Sequence, residues 1–417
     1  MCQLNLFNLF SVKKYLIILL YVLCVTACRS GDSKSSAVAT DSVSLNKGTS
    51  IPFKYHGHLY FPVTINDSVR GNFVFDTGGD DLYIDTLFFD HALLPKKNVS
   101  VAYLSGIGSE LQKVKIVGDR YSCRCGLLTL KPPHTFIMNI RPILGRDADG
   151  VVGLNMLRNY IFSIDYIKEE MRILNRNEFS TQGYEKIPFS IRNNRIYLKA
   201  AIQVISRKKI EGEFLLDLGN GGSLDLTSYC ARINNLNQIV PDKVRTYSNW
   251  GGVGGPSSDY RFRIDTFYIG KQKIVKPVIS YSNDNQGALS SGEYIGLIGN
   301  DIMDRFDLIV NMPDSCLYLR PNQNISMPYQ QNFAGFAYVD RTDICEGWVV
   351  RALYEGLAAE KAGLQIGDVV IRVNGRNTKD ISWHERKYLF SDLQNRPYIL
   401  AVIRDKHPYY FILNKVE

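Results

Sequence analysis

Two aspartates sit in turns that recur along the chain. Gly71-Asn72-Phe73-Val74-Phe75-Asp76-Thr77-Gly78 and Gly212-Glu213-Phe214-Leu215-Leu216-Asp217-Leu218-Gly219 each run an apolar strand into an Asp-x-Gly turn. A single Asp before Gly is an ordinary strand-end turn residue. Two in matching contexts are candidates for a facing pair. Carboxylates about 3 Å apart cannot both ionise, so they share one proton and titrate as a unit. The ionised partner can then act as general base on a bound water while the protonated one polarises a carbonyl. Such hydrolysis requires neither a metal nor a covalent intermediate, and the six histidines form no metal-ligand pattern. No cofactor is expected.

The elements that must position this pair are duplicated too. Gly150-Val151-Val152-Gly153-Leu154-Asn155-Met156-Leu157 matches Gly296-Leu297-Ile298-Gly299-Asn300-Asp301-Ile302-Met303, and the match runs on without a gap from Tyr160 and Phe306 to Asp165 and Asn311. Between these landmarks each copy carries a glycine-rich run, Ser105-Gly106-Ile107-Gly108-Ser109 and Gly251-Gly252-Val253-Gly254-Gly255. Neither run fits a phosphate-binding loop or a dinucleotide fingerprint. Four landmarks in the same order define a repeat of about 120 to 140 residues, hence two homologous lobes. Each lobe is a series of short alternating strands separated by Gly, Asn, Asp and Pro clusters, with no long amphipathic helix.

At these residues the chain resembles the aspartic peptidases, in particular the retropepsin-like and pepsin-like group, over roughly residues 55 to 319. The resemblance implies a mainly β fold of two β-barrel lobes on one chain, with Asp76 and Asp217 as the catalytic pair. It also implies Thr77, Gly78, Leu218 and Gly219 as the active-site loops, and Gly106, Gly108, Gly252 and Gly254 as flap tips over the cleft. Trp250, beside the second run, is a candidate substrate contact or a packing residue. The sequence departs from the group at Leu218, where a Thr or Ser hydroxyl would make crossed hydrogen bonds between the loops. Losing one such bond costs about 1 kcal/mol. Two readings follow: an aspartic endopeptidase acting on polypeptides, or a weakened peptide-binding scaffold of the same fold.

Composition bounds the rest. A chain of 417 residues exceeds one hydrophobic core. A net charge of +8 with scattered basic residues argues against nucleic-acid binding. Lys13 and Lys14 precede an apolar stretch, residues 15–27, that ends in Val25-Thr26-Ala27-Cys28. The stretch is short for a membrane span and resembles a lipoprotein signal peptide, which implies cleavage and lipidation at Cys28 and a bacterial cell-envelope location. A polar tether would occupy residues 29–50. Lobes are expected over 51–180 and 181–320. The remaining cysteines, Cys123, Cys125, Cys230, Cys316 and Cys345, are odd in number, so at least one thiol stays free.

Residues 333–417 differ in character. Gly347-Trp348-Val349-Val350-Arg351-Ala352-Leu353, Leu357-Ala358-Ala359-Glu360-Lys361-Ala362-Gly363-Leu364 and Gly367-Asp368-Val369-Val370-Ile371-Arg372-Val373-Asn374-Gly375 resemble a bacterial PDZ domain. The Asn-Gly pair is a strong hairpin signal. A second helix is expected over about 381–393 and a final strand over 398–403. The resemblance implies binding of C-terminal or extended peptides by strand addition, with Gly335-Phe336-Ala337-Tyr338 as the carboxylate loop. His384 is a candidate for the groove or for the exposed helix face.

Overall fold

The computed structural model describes residues 49–104, 106, 111–177, 179–248, 255–329 and 332–416. The signal segment, Cys28, nearly all of the tether, Gly108, Trp250, Gly252 and Gly254 lie outside the described residues. The first strand, Thr49–Pro52, takes in the last residues assigned to the tether, because its backbone is needed to pair with Glu170–Leu174.

The two lobes repeat each other strand for strand. In the first, the order is Val99–Leu104, Gln112–Val117, Thr135–Met138, Leu82–Asp85, Gly150–Gly153, Val69–Asp76, Leu59–Ile65, Cys123–Cys125, Leu128–Leu130. In the second, Val244–Ser248, Ser257–Arg263, Val278–Ser282, Leu224–Leu226, Gly296–Ile298, Lys208–Leu216, Arg195–Ile205, Thr266–Ile269 and Gln272–Val275 follow the same order and the same parallel or antiparallel sense. Even the register is shared: Phe73 faces Gly150 in one parallel pair and Phe214 faces Gly296 in the other. The brace strands Gly150–Gly153 and Gly296–Ile298 are apolar and buried along their whole length, as strands enclosed on both sides must be.

A six-stranded sheet joins the lobes, in the order Thr49–Pro52, Glu170–Leu174, Ile161–Asp165, Phe306–Asn311, Cys316–Pro321, Glu185–Arg192. Three strands come from each copy. At its centre Ser163 pairs with Ile309, and these occupy the same position of the repeat. A local two-fold axis therefore passes between them. One apolar core, with Phe75, Phe162, Phe214 and Phe306 among its members, runs through both lobes.

The C-terminal module has a core of its own, built on Trp348, Val350, Val370, Leu400, Val402 and Leu413. Asn374 and Gly375 both adopt positive φ, the geometry of a two-residue hairpin turn, and join Val369–Val373 to Arg376–Asn377. Two short α-helices are present, Ala358–Lys361 and Trp383–Arg386, with a single 3-10 turn at Thr378–Asp380 before the second. The second is much shorter than the expected 381–393. Ser382 and Glu385 start it with a capping box. Beyond it the chain continues in tight turns, with Leu389 N–H on the Arg386 carbonyl and the Ser391 hydroxyl on the Tyr388 carbonyl. Aromatic residues and a Ser-Asp pair favour such local bonding over a continued α-helix. The strand expected to end the chain is present as Tyr398–Arg404, but it is not the last: His407–Leu413 follows and pairs with it antiparallel, completing a hairpin.

All five cysteines among the described residues are free thiols, four of them buried. Burial pushes Cys123 and Cys125 up to about 12, so they behave as core residues and not as nucleophiles.

Candidate active site

The repeat brings its two aspartates together. Asp76 Oδ1 accepts from Gly78 N–H at 2.7 Å, and Asp217 Oδ1 accepts from Gly219 N–H at 3.1 Å. Each carboxylate is thus held by the turn that follows it. The two side chains also hydrogen-bond to each other. Asp217 is 9 % exposed, and Asp76 is more open to solvent. Burial, reinforced by the neighbouring Asp76 charge, raises the Asp217 pKa well above the ordinary carboxylate range.

Gly78 and Gly219 are required by close approach across the junction, not by left-handed backbone. A Cβ at Gly219 would lie 2.3 Å from Asp76 Cγ, and one at Gly78 would lie 2.9 Å from Asp217 Oδ1. Each glycine therefore makes room for the carboxylate of the opposite lobe.

Thr77 ties the loops together. Its buried hydroxyl donates to the Leu216 carbonyl at 2.7 Å and accepts from Leu218 N–H at 2.9 Å. Leu218 has no hydroxyl to return the contact, and its side chain is fully buried in the apolar core. The missing polar contact is offset from another direction. Asn300 Nδ2 donates to the Leu218 carbonyl at 2.7 Å and to the Gly57 carbonyl at 3.1 Å, while its Oδ1 accepts from Tyr166 at 2.8 Å. Asn300 is the counterpart of Leu154 in the repeat. The lobe whose loop bears the hydroxyl, at Thr77, carries Leu154, and the lobe whose loop bears Leu218 carries the amide, Asn300.

The carbonyls of the two motif glycines also meet side chains, each from the opposite lobe. Arg195 Nε donates to the Gly78 carbonyl at 3.1 Å, and its guanidinium lies 3.6 Å from Asp80. The His58 ring lies on the second loop, where a Cβ at Gly221 would come within 3.1 Å of it, and the Gly219 carbonyl favours its protonated form. Strand register makes these two residues equivalent, since Tyr60 faces Val74 as Tyr197 faces Leu215. His58 keeps some contact with solvent, yet desolvation by surrounding protein and the nearby Arg351 charge lower its pKa to about 4. Sequence reasoning missed both. The signal was His58-Leu59-Tyr60-Phe61 against Arg195-Ile196-Tyr197-Leu198, a donor followed by three apolar or aromatic residues in each copy.

The brace glycines complete the frame. Gly153 N–H bonds to the Asp81 carbonyl and Gly299 N–H to the Ser223 carbonyl, so each apolar brace strand holds the loop of its own lobe. The hairpins expected to carry the flaps are Val99–Leu104 with Gln112–Val117 and Val244–Ser248 with Ser257–Arg263. Of the flap residues only Gly106 is described. Its carbonyl accepts from Ala288 N–H of the second lobe at 3.0 Å. Among the described residues no group of three or more His, Cys, Asp or Glu side chains is arranged to hold a metal ion.

The C-terminal module meets both lobes. Its strand Trp348–Tyr354 pairs antiparallel with Val244–Ser248, the first strand of the second hairpin. The match to known families decides what this module is. Residues 349–389 match the PDZ domain family. No curated protein matches the chain.

PDZ domains bind peptides by strand addition beside a helix. In this PDZ domain the strand Phe336–Asp340 pairs with Trp348–Tyr354, and its groups are already partly engaged. Asn332 Nδ2 donates to the Phe336 carbonyl at 2.8 Å, and Arg146 N–H from the first lobe donates to the Asp340 carbonyl at 2.9 Å. Arg386 bridges to Asp340 at 2.6 Å, and Trp383 lies against His56 of the first lobe with ring centroids 5.4 Å apart. His384 is exposed.

Proposed function

We propose that the chain is an aspartic-type endopeptidase, lipid-anchored in a bacterial cell envelope through Cys28, whose PDZ domain recruits polypeptides. The observation that carries this reading is the reciprocal seating of Asp76 and Asp217, each wedged against the other lobe's glycine, with burial favouring a proton on Asp217. The pair holds one proton between two oxygens facing the same space. A water bound there attacks the carbonyl carbon of a peptide bond and gives its proton to the ionised carboxylate. The other carboxyl passes its proton to the carbonyl oxygen. Collapse of the tetrahedral species moves a proton to the leaving nitrogen, breaks the C–N bond and restores the pair. Thr77, Asn300, His58 and Arg195 act as positioning residues, since they touch the loop backbones and not the reacting atoms.

The test is incubation of the purified chain with a diverse peptide mixture from acidic to neutral pH, alongside Asp76→Asn and Asp217→Asn. The reading predicts new peptide termini that vanish in both variants; cleavage indifferent to both substitutions would refute it. Leu218 favours the second reading, a peptide-binding scaffold of the same fold. That reading predicts peptide capture with no new termini in any form of the protein. Lipid attachment is tested separately by metabolic labelling with palmitate in a bacterial host: incorporation lost in Cys28→Ala supports the anchor, and incorporation that persists contradicts it.

A further inference from the structure

Among the described residues, one cationic side chain between the PDZ domain and the lobes, Arg351, has no carboxylate within ion-pair distance. Arg351 lies in the strand Trp348–Tyr354, where register with Phe336–Asp340 steps from Ala337 and Ala352 to Tyr338 and Val350. Arg351 is therefore the extra residue of a β-bulge, a feature that re-aims a side chain and is frequent beside active sites. Its guanidinium is partly buried and donates to the Ile143 carbonyl of the first lobe at 3.0 Å. Asp259, an acidic group whose charge acts on Arg351, pairs at 3.6 Å with Arg261, whose side chain remains 43 % exposed.

This cation stands beside the candidate active site. Next to the Ile143 carbonyl that Arg351 holds, the Leu144 carbonyl accepts from Tyr60 Oη at 3.0 Å; the Tyr60 ring lies 6.3 Å from that of His58, and His58 packs on the second aspartate loop, where a Cβ at Gly221 would come within 3.1 Å of its ring. The position is also informative within the repeat. The helix Arg141–Leu144 and the turn Ala288–Ser290 are equivalent segments. At Ala288 the first hairpin's Gly106 closes onto the second lobe. At Ile143 the group that arrives is Arg351, supplied by the PDZ domain. The segment of the second lobe thus meets a neutral backbone carbonyl, whereas that of the first meets a guanidinium, and Arg261 stands over Tyr354 of the same PDZ strand, 5.1 Å from its ring centroid.

We infer that Arg351, assisted by Arg261, forms a carboxylate-recognition subsite at one end of the cleft, selecting peptides that carry a carboxylate near the segment lying over the aspartate pair. A partly desolvated guanidinium holding one carbonyl retains donors for a bidentate carboxylate. The carboxylate comes either from an Asp or Glu side chain or from the peptide's own C-terminus. The inference rests on the peptidase reading only for the direction in which the peptide lies.

The experiment measures binding, not cleavage, with the full chain carrying Asp76→Asn. Three matched fluorescent peptides are compared: an amidated neutral one, the same with Glu for an internal Gln, and the same with a free C-terminus. At least one carboxylate-bearing member is expected to bind tenfold or more tightly than the neutral one, and which member does so identifies the source. Arg351→Met should cut that ratio at least fivefold, and Arg351→Lys should keep most of it. A ratio unmoved by Arg351→Met overturns the subsite and leaves Arg351 as a staple to Ile143. A ratio that follows Arg386→Met instead assigns the carboxylate to the PDZ groove and also overturns it. Should Arg351→Met fail to fold, Arg261→Met decides, with an unchanged ratio counting against the inference. Arg351-dependent binding by a chain that hydrolyses nothing would refute the peptidase reading alone. Cleavage without Arg351-dependent preference would refute the subsite alone.

Discussion

At the scale of single residues, the junction depends on buried polar atoms with few alternatives. The Thr77 hydroxyl bonds to Leu216 and Leu218, and valine has nearly the same shape without that capacity. Thr77→Val leaves a carbonyl and an N–H unpaired in a dry environment, which costs about 1–3 kcal/mol each way the pair is counted. Denaturant unfolding should show a lower midpoint with an unchanged slope, and peptide hydrolysis should fall with it. His58 gives a pH-dependent prediction. Its folded pKa of about 4 lies below the usual value for histidine, so between that value and about 6.5 the unfolded chain binds the extra proton. Stability contributed by neutral His58 is present above pH 6.5 and is lost as pH falls toward 4. His58→Gln should remove this loss, and its melting temperature relative to the parent should rise on acidification. A constant difference across that range would show that the ring does not titrate in this window.

At the scale of elements, the two loops are held by asymmetric means on a symmetric frame. Asn300 binds the Leu218 carbonyl, the Gly57 carbonyl and Tyr166, whereas its counterpart Leu154 is simply buried. Asn300→Leu makes the lobes alike and strands those groups. It should destabilise by at least about 1–3 kcal/mol, and the rate of peptide hydrolysis should fall more than substrate affinity does, because the loop backbone and not the peptide loses its support. This balance also explains how much could be read from the chain. Asp76, Asp217, both brace strands and both hairpins were legible because the repeat preserves residue type as well as position. Asn300 was not, since its role arises from a difference between the copies. His58 and Arg195 escaped because their equivalence is one of strand register, and the residues themselves differ. The second PDZ helix was overestimated because apolar spacing at 381–393 fits a helix as well as the tight turns that form there.

At the scale of the whole molecule, the PDZ domain is built into the second lobe. Trp348–Tyr354 covers the edge of Val244–Ser248, and Arg146 and Arg141 of the first lobe bind Thr342 and Asp343. A chain ending at residue 330 would expose that strand edge, which is a template for pairing with another copy. Light scattering should therefore show concentration-dependent association of the truncated chain that the full chain lacks. The central claim, that folding of the duplicated chain forces two carboxylates to share a proton, has a direct measurement that needs no substrate. The raised Asp217 pKa means that the folded protein binds more protons than the unfolded chain above the ordinary Asp value, so stability falls as pH rises through that window. Asn at position 217 carries no such cost. Unfolding free energies of the parent and Asp217→Asn, measured from pH 3 to pH 8, should be closest near pH 3 and diverge as pH rises, with the variant the more stable at pH 8. Curves that stay parallel over the whole range would mean that the two aspartates ionise independently, and would contradict the account.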